Sequence, residues 1–379
     1  MLAIAYLDNS ATTPVSQKSA EIAVKYMCET FGNPASVHNL GIEVERGVEA
    51  ARSAIAKALG AQKEEITFTS GGTESNNLAV LGGSMALRRS GNKIITTAVE
   101  HPSVLQAVKE LENRGFEVVY LPVHKNGVIS LADLEQAVDE KTVLISVMLV
   151  NNETGAIQPV EQIRQIVKAK KTPALIHTDC VQAFGKLPFT VSQLQVDLLT
   201  VSGHKIHAPK GVGALYIRKG VRILPQTYGG GQENGLRSGT VATSQIAALG
   251  AAVTEMPDPK TAVEQATQLK DQLMSGISAI DGVQINSPEN GSPFITNLSV
   301  PGIPSEVMIR ALEAEGVYVS GGSACAKGAR SHVLNAQGVS PKAIDSALRV
   351  SFSHHTTSTE IEQFLTAFQR ACCILHKRK

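Results

Sequence analysis

A lysine directly after an apolar segment is placed for imine chemistry. The motif SGHK at 202–205 follows DLLTV at 197–201, an apolar run that predicts a buried strand. Lys205 would then emerge at the carboxyl edge of a sheet, where burial lowers the pKa of an amine and frees it to attack a carbonyl. A surface lysine that only closes a strand is the alternative, which this motif alone does not exclude.

A second motif, HTDCVQ at 177–182, supplies a carboxylate at the end of another predicted strand. A buried carboxylate needs a partner, and a protonated pyridine nitrogen is a fitting one because the charge keeps the ring an electron sink. Gln182 is placed to hydrogen-bond a phenolic oxygen of the same ring. The alternative for Asp179 is that it caps the following helix.

Three further polar motifs follow predicted strands. TSGGTES at 69–75 offers the backbone amide of Gly72 and the hydroxyl of Thr73 as a phosphate cradle at a helix N-terminus, although glycine-rich turns are common. It lacks the GxxxxGK[ST] pattern of a nucleotide-binding loop. His101 is a candidate to stack on a planar ring, or else a structural histidine. Asn152 is a candidate ligand of cofactor or substrate, or else a turn asparagine.

Cys325 is the candidate nucleophile. It lies in SGGSACAKGAR at 320–330, and this glycine-rich setting predicts a loop that lets the thiol reach from a substrate to an acceptor. Lys327 and Arg330 supply positive charge that favours the thiolate. The alternative is a small buried cysteine, the interpretation that we favour for Cys180.

Bulk composition limits the class of protein. Of the 379 residues, 43% are apolar and 18% are charged, which is typical of a globular protein. The net charge of +1 gives no overall electrostatic attraction to nucleic acids or anionic membranes. The five scattered cysteines lack paired CxxC spacing, so we expect neither disulfides nor a metal site. The N-terminus does not resemble a signal peptide, and no apolar run is long enough to span a bilayer. We therefore expect a cytoplasmic location.

Alternating apolar and amphipathic segments predict a mostly parallel sheet flanked by helices. The predicted strands lie at 65–69, 93–97, 117–121, 142–150, 174–179, 197–203 and 212–217, and the intervening helices at 43–59, 73–89, 102–115 and 160–171. After residue 257 come helices at 262–280, 305–315 and from about 358, with strands near 283–287 and 295–300. We expect a large domain at 15–257 and a small α+β domain from 1–14 and 258–379, which carries the cysteine loop.

The linked series of motifs resembles the cysteine desulfurases, within the fold-type-I pyridoxal 5'-phosphate (PLP) enzymes. It runs from YLDNSATTP at 6–14 through EHPSV, VNNETGAIQP and SGHKIHAPKGVGALY to GGGQENGLRSGT at 229–240 and ALRVSF at 347–352. The resemblance covers nearly the whole chain. It implies PLP as the cofactor, L-cysteine as the substrate, a homodimer and a sulfur-acceptor protein of an iron–sulfur or thiolation pathway.

The resemblance also implies roles for individual residues. Lys205 would form the imine with PLP, Asp179 would pair with the pyridine nitrogen, and Gln182 would bind the phenolic oxygen. His101 would stack on the ring and carry protons, while Asn152 and Arg349 would hold the substrate. The phosphate would be bound by Gly72, Thr73, Ser202, His204 and, from the neighbouring subunit, Thr240. Cys325 would accept the sulfur as a persulfide.

The chain departs from the family pattern most clearly after Cys325, because only AKGAR separates it from SHVL at 331–334, about two residues fewer than in related bacterial enzymes. A shorter loop has less reach, so we expect slow turnover unless an acceptor docks closely. Selenocysteine lyase, or another PLP-dependent lyase or aminotransferase, keeps the fold and remains an alternative. A non-catalytic protein that retains the cofactor pocket is the alternative from a different class.

Overall fold

The computed structural model describes residues 4–321 and 330–376. Within them the strands are β1 (Ala5–Tyr6), β2 (Ile66–Thr69), β3 (Lys93–Thr97), β4 (Glu117–Leu121), β5 (Thr142–Ser146), β6 (Leu175–Asp179), β7 (Leu198–Ser202), β8 (Gly213–Ile217), β9 (Gln284–Ile285), β10 (Ile295–Ser299), β11 (Val317–Tyr318), β12 (Ser320–Gly321) and β13 (Ala347–Ser351). The helices are α1 (Gln17–Cys28), α2 (Asn39–Leu59), α3 (Gly72–Asn77), α4 (Gly83–Ala86), α5 (Pro102–Asn113), α6 (Leu131–Ala137), α7 (Val160–Lys170), α8 (Val191–Leu194), α9 (Thr243–Glu255), α10 (Pro259–Ser278), α11 (Ser305–Ala314), α12 (His332–Ala336), α13 (Pro341–Ile344) and α14 (Ser358–His376).

The central sheet contains seven strands in the order β2-β8-β7-β6-β5-β3-β4 over the described residues. β8 runs antiparallel to both of its neighbours, and the remaining pairs are parallel. β5, β6, β7 and β8 are buried almost throughout, as expected for strands covered by helices on both faces. The predicted mostly parallel sheet flanked by helices is confirmed.

A second sheet, formed after residue 283, has the antiparallel order β12-β13-β10-β9 in the part of the chain that the structure describes. α10 and α11 pack against α14 beside it. β1 pairs with β11, and Asp8 forms a bridge to Ser351, so the N-terminal segment joins this smaller α+β part. The division into 15–257 and 1–14 plus 258–379 stays a prediction.

Local sequence explains where the elements end. Gly60 ends α2 in the left-handed conformation with φ +67°, which glycine adopts without steric cost, and its N–H donates to Ala56 and Lys57. α5 begins with Pro102 in its first turn, after the capping residue His101. The predicted strand at 142–150 is shorter than expected. β5 ends at Ser146, and beyond it the N–H groups of Val147 and Leu149 still donate to the carbonyl oxygens of His177 and Asp179.

No helix among the described residues combines the length and apolar character that a membrane crossing requires.

Candidate active site

A cavity of about 450 Å³ opens where the parallel strands of the central sheet end. Most of the lining motifs follow strands of this sheet, because parallel strands bring their carboxyl ends to one edge, whereas Arg349 comes from the second sheet. Ten of the residues predicted from the sequence line it: Gly72, Thr73, His101, Asn152, Asp179, Gln182, Ser202, His204, Lys205 and Arg349. Thr240 is exposed and outside this lining. Cys325 lies outside the described residues.

Lys205 follows β7 in a short 3-10 turn, as its position after an apolar strand predicted. Its Nζ donates to the backbone oxygens of Ser10, at 2.5 Å, and Ala11, at 2.7 Å. The N-terminal segment is tied to the same turn, because the Thr13 backbone N–H donates to the His204 oxygen. The amine is thus held at the cavity wall by a segment far away in the sequence.

Asp179 ends β6 with only 6% of its surface exposed. One carboxylate oxygen accepts from the backbone N–H of Val181 at 2.9 Å, and the other accepts from Asn76 Nδ2 at 2.7 Å. Asn76 also donates to Ser103 Oγ at 2.8 Å. The carboxylate is therefore fixed in place by hydrogen bonds, with its edge available to a cationic partner in the cavity.

Asn76 and Ser103 are site residues that the sequence analysis missed. Ser103 Oγ lies 2.8 Å from His101 Nδ1, and the Ser103 backbone N–H also donates to that nitrogen. Asn76 therefore connects Asp179 to His101 through Ser103. Its position four residues after Gly72, one turn into the helix, was the available sequence signal.

Two of the histidines that line the cavity, His101 and His204, are kept neutral by their surroundings. Burial, followed by the charge of Lys205, outweighs Asp179 and lowers the pKa of His101. Because its Nδ1 accepts hydrogen bonds, the neutral ring of His101 carries its proton on Nε2. Burial and the nearby Lys205 lower the pKa of His204 to about 4.

The predicted phosphate cradle lies between the start of α3 and the end of β7. A Cβ added at Gly72 would lie 3.0 Å from a methyl carbon of Val181 and 3.5 Å from the Ser202 Cβ, so this close backbone approach favours glycine. The loop at 226–240 reaches the same helix, because Arg237 forms an ion pair with Glu74 at 2.9 Å. Glycine packing and this ion pair hold the helix start beside Ser202.

Arg349 lies in β13 and is 2% exposed, yet it lines the cavity. Its Nη2 forms an ion pair with Asp8 at 2.8 Å, and its Nη1 donates to the backbone oxygen of Asn152 at 2.9 Å. Nε is buried without a hydrogen-bond partner among the described residues. Asn152 thus contributes its carbonyl to Arg349, whereas the sequence analysis considered its side chain.

Two buried glutamates were not predicted from the sequence: Glu153 lines the cavity, and Glu100 lies behind the lining residue Met148. Burial raises the pKa of Glu100 to about 8, although the Met148 N–H and the Thr97 hydroxyl donate to it. Burial raises the pKa of Glu153 to about 7, and Ser331 donates to this carboxyl group. Both acids can hold a proton near neutral pH because burial outweighs the influences that favour the charged form, which for Glu153 include the charge of Arg349.

Comparisons with known proteins identify the family of this chain. The family model "Aminotransferase class-V" matches residues 5–364. The "Cysteine desulfurase IscS" of Methanosarcina thermophila is 43% identical over 365 residues, covering 95% of this chain and 90% of the relative. The protein of the same name from Dictyoglomus turgidum is 41% identical over 370 residues, covering 96% and 93%.

Solved structures are similar over the same span. One titled "NIFS-LIKE PROTEIN" has a TM-score of 0.91 and 40% identity, covering 98% of this chain and all of the other. Another, "SspA in complex with cysteine", has a TM-score of 0.83 and 34% identity, covering 93% and 99%. The chain belongs to the class-V aminotransferase family and, within it, to the PLP-dependent cysteine desulfurases of the fold-type-I architecture.

The residues present fit PLP. The cavity volume is in the range of small-molecule sites. The buried carboxylate of Asp179 matches a protonated ring nitrogen, and the Lys205 amine reaches the same space. The Oδ1 atom of Asn76 is buried without a hydrogen-bond partner among the described residues. Because buried polar atoms are usually hydrogen-bonded, this atom indicates that a bound group supplies the donor.

Proposed function

We propose that this protein removes the sulfur of L-cysteine, releases L-alanine and holds the sulfur on Cys325 as a persulfide for an acceptor protein. One observation carries the proposal. A single cavity collects the Lys205 amine, the Asp179 carboxylate and the Arg349 guanidinium in a chain that is 43% identical to a cysteine desulfurase over 365 residues.

The described residues account for cofactor binding. Lys205 would bind PLP covalently through its amine, and Asp179 would keep the ring nitrogen protonated. Gln182 would bind the phenolic oxygen. His101 would stack on the ring, and the phosphate would be bound by Gly72, Thr73, Ser202 and His204. Bound PLP supplies an electron sink that weakens the bonds at the carbon atoms of the amino acid.

Substrate binding would depend on the cationic side of the cavity, where Arg349 lies. Arg349 has a planar guanidinium that suits the substrate carboxylate, and Asn152 holds that guanidinium through its carbonyl oxygen. The Lys205 amine, once released, and His101 Nε2 would move protons at the substrate's carbon atoms. The Cys325 thiolate would attack the substrate sulfur, and the carbon–sulfur bond breaks as the sulfur becomes the outer atom of the persulfide.

We further propose a homodimer in which Thr240 binds the phosphate in the neighbouring subunit's cavity. Thr240 is exposed and lies outside the cavity of its own chain. Large apolar side chains are exposed near the N-terminus and on the same loop, with exposed fractions of 94% for Val37, 63% for Phe31 and 81% for Tyr228. Apolar surface of this kind is typical of subunit contacts.

The proposal extends to the setting of the reaction. We expect a cytoplasmic protein that passes sulfur to an iron–sulfur scaffold or a thiolation enzyme, without binding nucleic acid or membrane directly. The near-neutral net charge supports the absence of direct nucleic-acid binding, because nucleic-acid-binding domains carry basic surfaces.

The test is to compare the wild type with Cys325→Ser. The variant should keep the visible absorbance of bound PLP, because the thiol does not hold the cofactor, yet lose sulfide release from L-cysteine with a reductant present. Cys373→Ser, which changes an exposed cysteine, is the control and should remain active. Normal desulfuration by Cys325→Ser would refute the assignment of the nucleophile. Production of alanine from selenocysteine but not from cysteine would favour the selenocysteine lyase alternative.

A further inference from the structure

Three histidines from distant parts of the chain meet just outside the cofactor cavity. His207 follows the active-site lysine by two residues, whereas His354 and His355 lie in the turn after β13. Ring nitrogens of all three lie within 4.8 Å of one another. The ring centroids are 4.8 Å apart for His207 and His354, 4.7 Å for His207 and His355, and 4.0 Å for the neighbouring pair. None of them lines the cavity that fits PLP.

His207 is oriented as metal-binding histidines usually are. Its Nδ1 lies 2.9 Å from the backbone oxygen of Pro14, and because a carbonyl can only accept, Nδ1 carries the proton. Nε2 then has a free lone pair, and it is buried without a hydrogen-bond partner among the described residues. The residue is 5% exposed. A backbone carbonyl behind one ring nitrogen with the other nitrogen unprotonated is the arrangement that orients imidazole ligands.

The backbone around His207 is held firmly. Its N–H donates to Thr13 Oγ1 at 2.8 Å, and its carbonyl oxygen accepts from the Ser16 N–H at 2.9 Å. The residue adopts φ +65°, a conformation that non-glycine residues seldom occupy. The N-terminal segment thus fixes both the backbone and the ring of His207.

A tight turn brings the other two rings to the same place. The Ser353 N–H donates to the Thr356 hydroxyl at 3.0 Å, and the Thr356 N–H donates to the Ser353 carbonyl at 3.1 Å. The His355 N–H donates to Ser353 Oγ at 3.2 Å. Consecutive side chains of a strand point to opposite faces, so it is the turn that allows both rings to face His207. His355 is exposed, which leaves an entry path from solvent.

The charges of the cluster suit a cation. Burial lowers the pKa of His207 and of His354 to about 4, so both rings are neutral near pH 7, as metal ligands must be. The amine of Lys186 shares a small cavity with His207 and His354, but burial lowers its pKa to about 7, so it loses much of its charge slightly above neutral pH. Glu255 adds a nearby negative charge at His207.

We propose that His207, His354 and His355 bind one Zn²⁺ ion through three imidazole nitrogens, with water in the fourth position. Neutral imidazoles are preferred ligands of zinc, and three of them with one open position form a common tetrahedral site. Closing the ring nitrogens onto the ion would require small movements of the two turn histidines. The bound ion would join the segment after Lys205 to the turn that follows the strand of Arg349. The cysteine spacing gave no indication of this site, because its ligands are histidines far apart in the sequence.

Zinc titration of the holoenzyme tests the proposal without relying on activity. The protein would carry Cys325→Ser, so that the sulfur-accepting thiol does not bind metal, and would be stripped with a chelator and kept in a phosphine reductant. Calorimetry with ZnCl₂ should show one strong site per chain. His355→Ala should weaken the affinity for zinc about 10-fold, and the double variant that also carries His354→Ala should weaken it at least about 100-fold. Loss of an outer-shell partner already lowers metal affinity by about 10–100-fold, and loss of a ligand should cost at least as much.

His124→Ala is the matched control, because His124 is also exposed but belongs to a different loop, and it should bind zinc as the parent does. The visible absorbance of PLP reports whether each variant keeps its fold. X-ray absorption at the zinc edge should show three nitrogen neighbours from imidazole. Absence of a strong site, or binding that the double variant leaves unchanged, would overturn the proposal whether or not the protein desulfurates cysteine.

Discussion

At the scale of single residues, the cavity depends on groups held in one orientation by partners that do not react. Asp179 receives two N–H donors, one from the backbone of Val181 and one from Asn76. These donors stabilise the carboxylate form, which is the form that a cationic ring nitrogen requires. In the proposed site, the electronic state of PLP would therefore be controlled by a residue that need not contact the substrate.

Asp179→Asn should lower alanine production from L-cysteine by at least about 100-fold, because removal of one partner from a buried charge pair costs about 3–5 kcal/mol. Steady-state kinetics at saturating PLP give the measurement. The control is Asp133→Asn, an exposed carboxylate of α6, which should retain activity. A fully active Asp179→Asn protein would contradict the role given to this residue.

Arg349→Lys should raise the KM for L-cysteine by about 10–100-fold, because lysine cannot form the planar two-point contact with a carboxylate. The comparison of KM with kcat separates lost substrate binding from lost chemistry, and PLP absorbance checks the fold. Arg218→Lys is a suitable control, since Arg218 pairs with Asp197 outside the cavity. An unchanged KM would exclude Arg349 as the carboxylate ligand.

The sequence predicted those site residues whose position followed from a strand end. Lys205, Asp179 and His101 each lie at or shortly after the end of a predicted strand. Because parallel strands end at one edge of a sheet, the sequence alone predicted that these residues lie close together. Asn76 was missed because its hydrogen bonds to Asp179 and Ser103 depend on tertiary contacts that no local pattern contains.

At the scale of elements, the apolar strands of the central sheet were predictable, whereas helix α1 was missed. The strand predicted at 93–97 is β3, residue for residue, because a short run of β-branched residues leaves little ambiguity. α1 was missed because its exposed face carries apolar side chains, including Val24 and Met27, which blur the helical period. Contact with α9, and not the pattern of α1 itself, explains its position.

β6 contributes a pH dependence of stability through His177. This side chain is fully buried between Ser146 and Thr200, and burial lowers its pKa to about 3, from an ordinary value of 6.5. Between pH 6.5 and 3 the unfolded chain binds a proton at this residue that the folded chain does not. The stabilisation is therefore complete above pH 6.5 and is lost progressively as the pH falls.

His177→Gln should reduce the loss of unfolding free energy between pH 6.5 and 4.5 by about 2 kcal/mol, because the slope rises to about 1.4 kcal/mol per pH unit only as the unfolded histidine becomes fully protonated. Urea denaturation of wild type and variant at the two pH values gives this difference. Glutamine keeps one donor and one acceptor, so the variant should fold. Equal pH dependence of the two proteins would show that His177 is not titrating differently in the folded and unfolded states.

At the scale of the whole molecule, we expect efficient sulfur transfer to depend on a docked acceptor protein as well as on the cavity. The chain between Cys325 and SHVL is about two residues shorter than in related bacterial enzymes. Each residue adds at most about 3.5 Å of reach, so the thiol is expected to travel about 7 Å less from the cavity. Sulfur would then leave efficiently only when an acceptor docks close to the site.

Alanine production should accordingly be slow with L-cysteine alone and rise severalfold when a sulfur-acceptor protein or a strong reductant is added. Insertion of Gly-Ser after Ala326 lengthens this segment and should raise the rate without an acceptor. The same insertion after Gly220, in another glycine-containing turn, serves as a control for insertion itself. Equal rates with and without acceptor in the wild type would show that reach is not limiting.

The contact between Asp8 and Arg349 joins residues 341 positions apart in the chain. During synthesis the N-terminal half of the central sheet leaves the ribosome long before β13 exists, and domains fold as they emerge. A nascent chain can thus assemble the strands around Lys205 while the wall that receives the substrate carboxylate is still missing. Chains stalled before residue 347 should not turn over cysteine, because Arg349 is absent from them, and this delays the release of reactive sulfur until translation is nearly complete.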